Sequence, residues 1–301
     1  MTGETQTSPD AAPRGELSAP IVLVPTYNER DNLPALVRRV LAVEPAIDIC
    51  VLDDASPDGT GDVADELAAA DPRVHVLHRP GKEGLGAAYL HGFAWALEQG
   101  HDAVIEMDAD GSHRPEDLPR LLAAARDADV VIGSRWVRGG SVVNWPARRK
   151  ALSLGANAYA QLWLGMPVHD ATAGYRLYRA AALRTMGLRD VASQGYCFQV
   201  DLTWRAVRAG LRVVEVPITF VEREHGTSKM SGDIVRESMA RIAWWGLEYR
   251  GAQLRGALNR LRRRPDAATA APTAAATAES AGSAQETAEP THPTGERRHS
   301  S

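Results

Sequence analysis

Cysteine and long apolar segments are both scarce in this sequence. The two cysteines, Cys50 and Cys197, are far apart and form no CxxC or metal-type spacing, so we expect a reducing compartment. Residues 1–20 have neither a basic start nor an apolar stretch, so no signal peptide is expected. No run of about 18 apolar residues occurs, so no membrane-spanning helix is expected either. These absences predict a cytoplasmic protein.

Two familiar phosphate-binding motifs are also missing. No GxGxxG follows the first predicted strand and no GxxxxGK[ST] occurs, which argues against a dinucleotide site and a P-loop. The glycines of GKEGLGAAY (81–89) are open to two interpretations, as turn residues or as a phosphate cradle. The formal net charge is only −4, so a general nucleic-acid-binding protein is not expected.

The first half of the chain shows a regular alternation of strand and helix patterns. Apolar runs predict strands at 21–26, 47–55, 74–77, 102–108 and 129–134, with helices at 29–43, from Thr60, at 85–98 and after Pro115. Such continuous runs are typical of strands buried on both faces. They predict an α/β fold, Rossmann-like, with a mostly parallel central sheet and helices on both faces. The second half predicts helices at 147–164 and 198–209, a loop at 169–179, a strand at 213–221 and a long amphipathic helix at 232–262.

Composition divides the chain into a single domain and two tails. Residues 1–18 are rich in Thr, Ser, Pro and Gly, and residues 266–301 are an Ala/Thr/Glu/Pro mixture, so both are predicted to be disordered. Residues 19–250 form the predicted domain. In the long C-terminal helix we expect the first part to pack on the sheet and the basic end, 251–265, to contact a membrane surface.

Polar residues follow four of the predicted strands, at 26–29, 53–54, 108–110 and 133–135. In doubly wound sheets, ligands bind outside the carboxyl ends of the strands. Asp108 and Asp110 would repel each other unless a cation neutralised them, and Mg²⁺ or Mn²⁺ prefers such oxygen ligands and can bridge a diphosphate. The alternative interpretation is a solvated turn whose acids cap the helix beginning near Pro115.

Eight segments share one further property. They are VPTYNERDNLP (24–34), LDDASPDGT (52–60), LGAAYLHG (85–92), MDADGSHRPE (107–116), GSRW (133–136), TAGYRLYR (172–179), GYCFQVD (195–201) and VPITFVEREHGTSKM (216–230). In this order and spacing they resemble the dolichol-phosphate (polyprenol monophosphate) mannose synthases, which are inverting family 2 glycosyltransferases with the GT-A fold. The resemblance covers about residues 20–250. It implies metal-dependent transfer of mannose from GDP-mannose to a polyprenyl phosphate, peripherally at the cytoplasmic face of a membrane.

The resemblance also implies roles for individual residues. Nucleotide-sugar contacts are expected at Pro25, Tyr27, Glu29, Leu52, Asp54, Asp108, Ala109, Asp110, Arg135, Arg223 and Lys229. Asp108, Asp110 and Arg135 are the predicted catalytic residues. The metal is assigned to Asp108 and Asp110 with Ser112, at a position where some family members have Gln, so the third ligand is either a hydroxyl or a water. His113 is a weaker candidate because Mg²⁺ and Mn²⁺ prefer oxygen ligands.

Basic residues are expected to bind the second phosphate-bearing substrate. Arg148, Arg149 and Ser153 are the predicted acceptor-phosphate residues, because arginine forks match phosphate oxygens. A solvated helix start is the alternative for Arg148 and Arg149. Lysine occurs only at positions 82, 150 and 229, which makes Lys229 informative, and the 224–231 segment around it is expected to close over the substrates.

The lack of an anchor predicts a peripheral membrane-surface protein and leaves room for a separate membrane-anchoring protein. Three other functions stay open. They are transfer of another sugar, such as glucose from UDP-glucose, to the same carrier; a non-catalytic nucleotide-sugar-binding partner of a membrane enzyme; and glycosylation of a polysaccharide or a protein.

Overall fold

The computed structural model describes residues 14–191, 196–222 and 232–262. The chain divides into two units, residues 1–254 and residues 255–301. In the second unit the described residues, 255–262, are the end of a helix. The elements named below otherwise belong to the first unit.

A seven-stranded sheet forms the centre of the first unit. With a separate two-stranded sheet, the described strands are β1 (Pro20–Thr26), β2 (Asp48–Asp53), β3 (Val74–His78), β4 (Ala103–Glu106), β5 (Val130–Ser134), β6 (Ser141–Val143), β7 (Arg176–Arg179), β8 (Val213–Pro217) and β9 (Thr219–Val221). The order in the large sheet is β3-β2-β1-β4-β7-β5-β8, and β6 pairs with β9 separately. All pairs are parallel except the two made by β7. The predicted mostly parallel sheet is therefore confirmed.

Helices cover both faces of this sheet. They are α1 (Leu33–Val43), α2 (Thr60–Ala70), α3 (Leu85–Glu98), α4 (Leu118–Ala124), α5 (Ala147–Leu164), α6 (Ala180–Met186), α7 (Tyr196–Arg208) and α8 (Gly232–Arg262), with 3-10 turns at Pro115–Asp117 and Leu188–Asp190. In α1 the apolar positions recur every three or four residues, so Leu36, Val37 and Val40 lie on one buried face. Each helix of this kind is held mainly by the burial of such a face.

The core has two layers because successive strand residues point to opposite faces of the sheet. Val22 and Val24 pack in one layer with α1, whereas Ile21 and Leu23 pack in the other with α3. Helix α3 approaches the sheet closely at Gly92, where an added Cβ would lie 2.7 Å from Leu23 Cδ1. This two-sided burial explains why the strands have continuous apolar sequences.

The second half departs most from the sequence-based prediction. The predicted loop at 169–179 contains β7, which is inserted antiparallel between β4 and β5. The predicted strand at 213–221 is interrupted at Ile218, which separates β8 from β9. The first part of α8 packs through Ile242 and Trp245 in a cluster with α5 and α7 residues such as Trp204. For the described side chains of this part, packing on helices therefore replaces the expected packing on the sheet.

Two boundaries also differ at the N-terminal side. The helix expected from residue 29 begins at Leu33, because Asn28 has a φ of 64° and a turn closed by the Asn32 N–H on the Glu29 carbonyl, at 3.1 Å, precedes the helix. Residues 14–18, assigned to the N-terminal tail by composition, contact the domain. Arg14 donates from Nε and Nη2 to Asp129 at 2.5 and 2.7 Å, and Ser18 donates its N–H to Asp102 at 2.5 Å.

Candidate active site

A crevice at the carboxyl edge of the sheet is the first part of the site. The strand order runs from β1 through β2 to β3 on one side and continues from β1 to β4 on the other. Chain connections therefore reverse direction between β1 and β4, and such switch points open a crevice at the carboxyl ends of the strands. Thr26 ends β1, and Asp108 follows β4 by two residues.

The residues after β1 lie partly exposed at this crevice. Pro25, Tyr27 and Glu29 are all partly buried, and Lys82 Nζ lies 3.9 Å from the centre of the Tyr27 ring. Glu29 accepts a hydrogen bond from Asn32 Nδ2 at 2.8 Å. Of the first three predicted nucleotide contacts, Tyr27 thus lies beside a lysine, an arrangement suited to an anionic ligand with an aromatic base.

The residues after β2 are more deeply buried than the sequence suggests. The Leu52 side chain lies wholly in the core and offers no surface to a ligand. Asp53 accepts from Thr26 Oγ1 at 3.0 Å and from Ser56 Oγ at 2.6 Å, which holds the turn together. Asp54 is buried against Arg79, and burial raises the pKa of Asp54 although the charge of Arg79 opposes this shift.

The turn after β4 carries the predicted metal-binding carboxylates. Asp108 is 34% exposed and Asp110 is partly exposed, whereas Ala109 between them is buried. Asp110 Oδ1 accepts from the Ser112 N–H at 3.0 Å, so the two carboxylates are held on one short turn. His113 is buried beneath this turn, and its Nδ1 accepts from the Asp108 N–H at 3.0 Å.

These residues fit a divalent cation with oxygen ligands. Ser112 Oγ is a buried oxygen with no hydrogen-bond partner in the described part of the chain, which agrees with a ligand role. No three His, Cys, Asp or Glu side chains cluster as a metal site within residues 14–191, 196–222 and 232–262. The protein would hold the ion through Asp108, Asp110 and Ser112, and diphosphate oxygens and water would complete its coordination.

Three buried polar residues, Glu106, Arg176 and Gln199, lie close to this turn. Glu106 is fully buried and accepts from Gln199 Nε2 at 3.0 Å, and Arg176 lies beside it in the sheet. Burial raises the pKa of Glu106 to about 8 despite the nearby positive charge of Arg176. Arg176 donates to Thr203 Oγ1 at 2.7 Å and to backbone carbonyls, which ties β7 to α7.

Arg135, which follows β5, is clamped by a fully buried carboxylate. Asp170 accepts from Arg135 Nε at 2.8 Å, from Nη2 at 2.6 Å and from the Arg135 N–H at 2.9 Å. Thr172 Oγ1 accepts a further bond from Nη2 at 2.9 Å. Burial alone would raise the pKa of Asp170, but the hydrogen bonds and charge of Arg135 outweigh it and lower the pKa. The guanidinium is thereby fixed in one orientation.

A cavity of ≈ 90 Å³ between α5, α7 and α8 is the second part of the site. Its polar lining includes Arg135, Arg149 and Ser153. Its apolar lining consists of Trp145, Leu152, Ala156, Tyr159, Cys197, Val200, Met239 and Ile242, and Thr172 and Ser238 complete the walls. The cavity thus combines the guanidinium groups of Arg135 and Arg149 with mainly apolar side chains.

The predicted acceptor-phosphate residues are only partly brought together. Arg149 lines the cavity, pairs with Glu222 and lies 4.2 Å from the Trp145 ring centre. Arg148 is exposed and is not among the cavity residues, which agrees with the alternative of a solvated helix start. Arg223, Lys229 and the predicted closing segment 224–231 lie outside the described residues, which resume at Gly232, where α8 begins.

The sequence model for glycosyl transferase family 2 matches residues 21–187, more than half of the chain. The chain belongs to glycosyl transferase family 2. A polyprenol monophosphomannose synthase of Mycolicibacterium smegmatis is 58% identical over 240 residues, covering 79% of this chain and 91% of that protein. An undecaprenyl-phosphate mannosyltransferase of Micrococcus luteus is 56% identical over 238 residues, covering 79% and 98% respectively. The resemblance to polyprenol monophosphate mannose synthases is therefore confirmed, and the protein is a glycosyltransferase.

Solved structures of lower identity share the fold of this family 2 chain. Glucosyl-3-phosphoglycerate synthase from Mycobacterium tuberculosis, in complex with Mn²⁺, UDP and glucosyl-3-phosphoglycerate, has a TM-score of 0.54 at 18% identity and covers 75% of this chain and 77% of its own. Its complex with phosphoglyceric acid gives a TM-score of 0.56 with coverage of 75% and 79%. The predicted GT-A fold is thus confirmed.

Sequence reasoning missed several residues that shape this glycosyltransferase site. Arg79, Asp170 and Glu222 each pair with a predicted site residue, and Trp145 forms part of the cavity wall. Asp170 lies two residues before the segment TAGYRLYR (172–179), but nothing in its sequence context indicates that it is buried. The one available signal is the need of a buried arginine for a carboxylate partner.

Proposed function

We propose that this family 2 glycosyltransferase transfers mannose from GDP-mannose to a polyprenyl phosphate, with inversion at the anomeric carbon. The observation that carries the proposal is the cavity in which Arg135, Arg149 and Ser153 meet apolar walls. The names of the two relatives, at 58% and 56% identity, support both the sugar and the class of acceptor.

The acceptor side suits a phosphate attached to an apolar chain. Arg149 lines the cavity with a guanidinium group, a group suited to phosphate oxygens, and Arg135, whose Nε and Nη2 donate to Asp170, adds positive charge. The Glu222 carboxylate beside Arg149 marks a position where an anion is favourable. Leu152 and Met239 line the same cavity and are 45% and 43% exposed, so the apolar wall continues to the protein surface. A polyprenyl chain can follow that wall outward from its phosphate.

The donor side suits a nucleoside diphosphate sugar. Pro25, Tyr27 and Glu29 would contact the nucleotide, with Lys82 beside the tyrosine ring. Asp108 and Asp110 would hold Mg²⁺ or Mn²⁺ against the diphosphate. When bound, such an ion stabilises the negative charge that develops on the leaving diphosphate.

The chemistry requires little of the protein beyond placement. An oxygen of the acceptor phosphate attacks the anomeric carbon, the bond from that carbon to the diphosphate breaks, and its electron pair leaves with GDP. A phosphate monoester with a second pKa of about 6 is mostly ionised at neutral pH, so no protein base is needed. Arg135, fixed by Asp170, and Arg149 orient the attacking oxygen. Arg223 and Lys229, which lie outside the described residues, remain predicted to contact phosphate groups.

We further propose that α5 and α8 contact the membrane surface that holds the acceptor. Large exposed apolar side chains of the described residues are concentrated on these helices, including Leu162 at 70%, Trp244 at 66% and Leu247 at 58%. An acceptor whose chain stays in the bilayer requires this face of the cavity to meet the lipid. The cytoplasmic face, a role for 251–265 and a separate anchoring protein remain predictions. Among the described residues, no helix combines the length and apolarity needed to cross a bilayer.

A panel of donors and acceptors tests the proposed function. Purified protein is incubated with radiolabelled GDP-mannose or UDP-glucose and undecaprenyl phosphate in detergent, with MgCl₂, MnCl₂ or EDTA. We expect a lipid-extractable mannosyl product that requires a divalent cation and the polyprenyl phosphate. The Asp110→Ala variant is the matched inactive control.

Each other outcome rejects a named part of the proposal. A glucosyl product alone would replace mannose by another sugar on the same acceptor. Turnover that does not need the lipid phosphate would favour glycosylation of a polysaccharide or a protein. Donor binding without turnover in any combination would favour the non-catalytic partner.

A further inference from the structure

We propose that His113 is a positioning residue, which fixes the backbone of Asp108 and so sets its carboxylate for a divalent cation and the diphosphate. The inference rests on the proposed function in assuming that Asp108 binds such an ion. It assigns to His113 a role other than the direct metal ligation considered from the sequence.

The first observation is the hydrogen bond that closes the turn. The sheet ends at the Met107 N–H, which donates to the Leu23 carbonyl at 3.1 Å. The next amide, the Asp108 N–H, donates to His113 Nδ1 at 3.0 Å instead. The nearest Asp108 carboxylate oxygen, Oδ2, lies farther from Nδ1, at 3.9 Å, so the closer partner of this ring nitrogen is the Asp108 N–H.

The second observation is that the imidazole ring is closely packed on several sides. His113 is 1% exposed, stacks on Tyr175 with ring centres 5.0 Å apart, and meets the edge of Phe220 at 5.6 Å. Gly174 leaves just enough room for it, since an added Cβ there would lie 3.3 Å from His113 Cε1. Close packing of this kind holds a side chain in one rotamer.

The third observation is that neighbouring strands anchor the same turn. The Val221 N–H of β9 donates to the Ser112 carbonyl at 3.2 Å. Phe220 of β9 contacts His113 and also lies 5.6 Å from the Arg135 guanidinium. Through the ring of His113, the backbone position of Asp108 therefore depends on β9 and on the segment before β7. A residue needed only to fill space would not require an acceptor at Nδ1.

Two substitutions separate the acceptor from the ring. His113→Asn keeps an oxygen acceptor at about the place of Nδ1 but loses the ring, whereas His113→Phe keeps a ring but loses the acceptor. Mn²⁺ binding is measured by EPR with GDP and, separately, with UDP, at a temperature where circular dichroism shows both variants folded. Tyr175→Phe is the control, because it keeps the stacking ring and removes a buried hydroxyl that has no partner in the described part of the chain.

We expect His113→Phe to weaken Mn²⁺ binding by about 10–100-fold, the usual cost of losing a group that orients a metal ligand. His113→Asn should stay within about threefold of wild type, and kcat should follow the same order. Tyr175→Phe should bind Mn²⁺ as wild type does.

Other outcomes are distinguishable. Near-normal Mn²⁺ binding by His113→Phe with weak binding by His113→Asn, or equal losses in both, would show that the ring only fills space and would overturn the inference. Wild-type protein that binds no Mn²⁺ with either nucleotide would overturn the inference and the metal part of the proposed function together. Mn²⁺ binding with UDP but not with GDP would indicate a uridine-based donor. Tighter Mn²⁺ binding by His113→Asn than by His113→Phe with UDP would still support the role of His113.

Discussion

The proposed donor side and the proposed acceptor side of this glycosyltransferase fix their polar groups by different means. On the donor side, Asp108 and Asp110 stand on a turn directly after β4, where backbone N–H groups donate to the His113 ring and to the Asp110 carboxylate. On the acceptor side, Arg135 and Arg149 each depend on a carboxylate from a distant part of the chain. The donor turn is thus held by local bonds from the backbone to side chains, whereas the acceptor side is held by ion pairs between distant side chains. Substitutions should therefore affect the two sides differently.

The largest effect on stability is expected from Asp170→Asn. Removing one partner of a fully buried ion pair leaves Arg135 uncompensated, and such losses cost about 3–5 kcal/mol in the free energy of unfolding. Urea denaturation at neutral pH measures this cost. In wild type, the lowered pKa of Asp170 means that its contribution is present above the ordinary aspartate pKa and is lost as the pH falls further. A loss below about 1 kcal/mol would contradict the dependence of the acceptor side on this pair.

The largest effect on turnover is expected from Asp110→Ala. Its carboxylate is partly exposed on the donor side, so its removal should leave the unfolding free energy nearly unchanged. Loss of charge stabilisation at the diphosphate should lower kcat by about 10²–10³-fold. The assay is initial-rate mannosyl transfer at saturating substrates, with thermal denaturation as the control. Activity within about threefold of wild type would remove Asp110 from the site.

A neighbouring pair of arginines gives a sharper comparison. Arg149→Gln removes a fork that lines the cavity and should raise the acceptor KM by about 10–100-fold, as expected for a charge-assisted hydrogen bond. Arg148→Gln changes an exposed neighbour and should shift it by less than about twofold. Both KM values are measured against undecaprenyl phosphate at saturating donor.

Equal effects of the two arginine variants would contradict the assignment of the cavity to the acceptor. A rise in the donor KM for Arg149→Gln, with the acceptor KM unchanged, would move Arg149 to the donor side.

The last expected effect is a pH dependence at Glu106, which is buried in β4 beside Arg176. Its folded-state pKa of about 8 is above the ordinary value of 4.5, so the folded chain keeps a proton that the unfolded chain releases. Wild-type stability should therefore fall as the pH rises from 4.5 towards 8 and then level off. Glu106→Gln resembles the protonated form, so its stability should exceed that of wild type increasingly as the pH rises from 4.5 towards 8. Parallel urea-stability curves from pH 5 to pH 9 would contradict the buried, protonated state.

The two sides also differ in how far the sequence predicts them. The parallel strands and the Asp108-Ala109-Asp110 turn could be predicted because burial on both faces leaves a continuous apolar pattern that ends in polar residues. The antiparallel β7 could not, since four residues, Arg176–Arg179, that include two arginines show no strand pattern. Arg176 is nonetheless fully buried, because polar groups from α7 and nearby carbonyls satisfy its donors.

Individual site residues show the same division. Tyr27 and Asp108 lie at the crevice, as predicted from their positions after strands. Leu52 also lies near the end of a strand, but its side chain is buried in the core. The alternation of side chains along a strand determines this orientation, which a sequence motif does not reveal. Arg135 was predicted, but its partner Asp170 is 35 residues away, and only the tertiary fold brings them together.

Binding of GDP-mannose in the presence of Mn²⁺, measured by calorimetry on wild type, Asp110→Ala and Arg149→Gln, tests the separation of the two sides most directly. The account predicts that Arg149→Gln binds the donor as wild type does while transferring mannose poorly, and that Asp110→Ala binds it at least about tenfold more weakly. Equal loss of donor binding in both variants would contradict the claim that the crevice and the cavity hold different substrates.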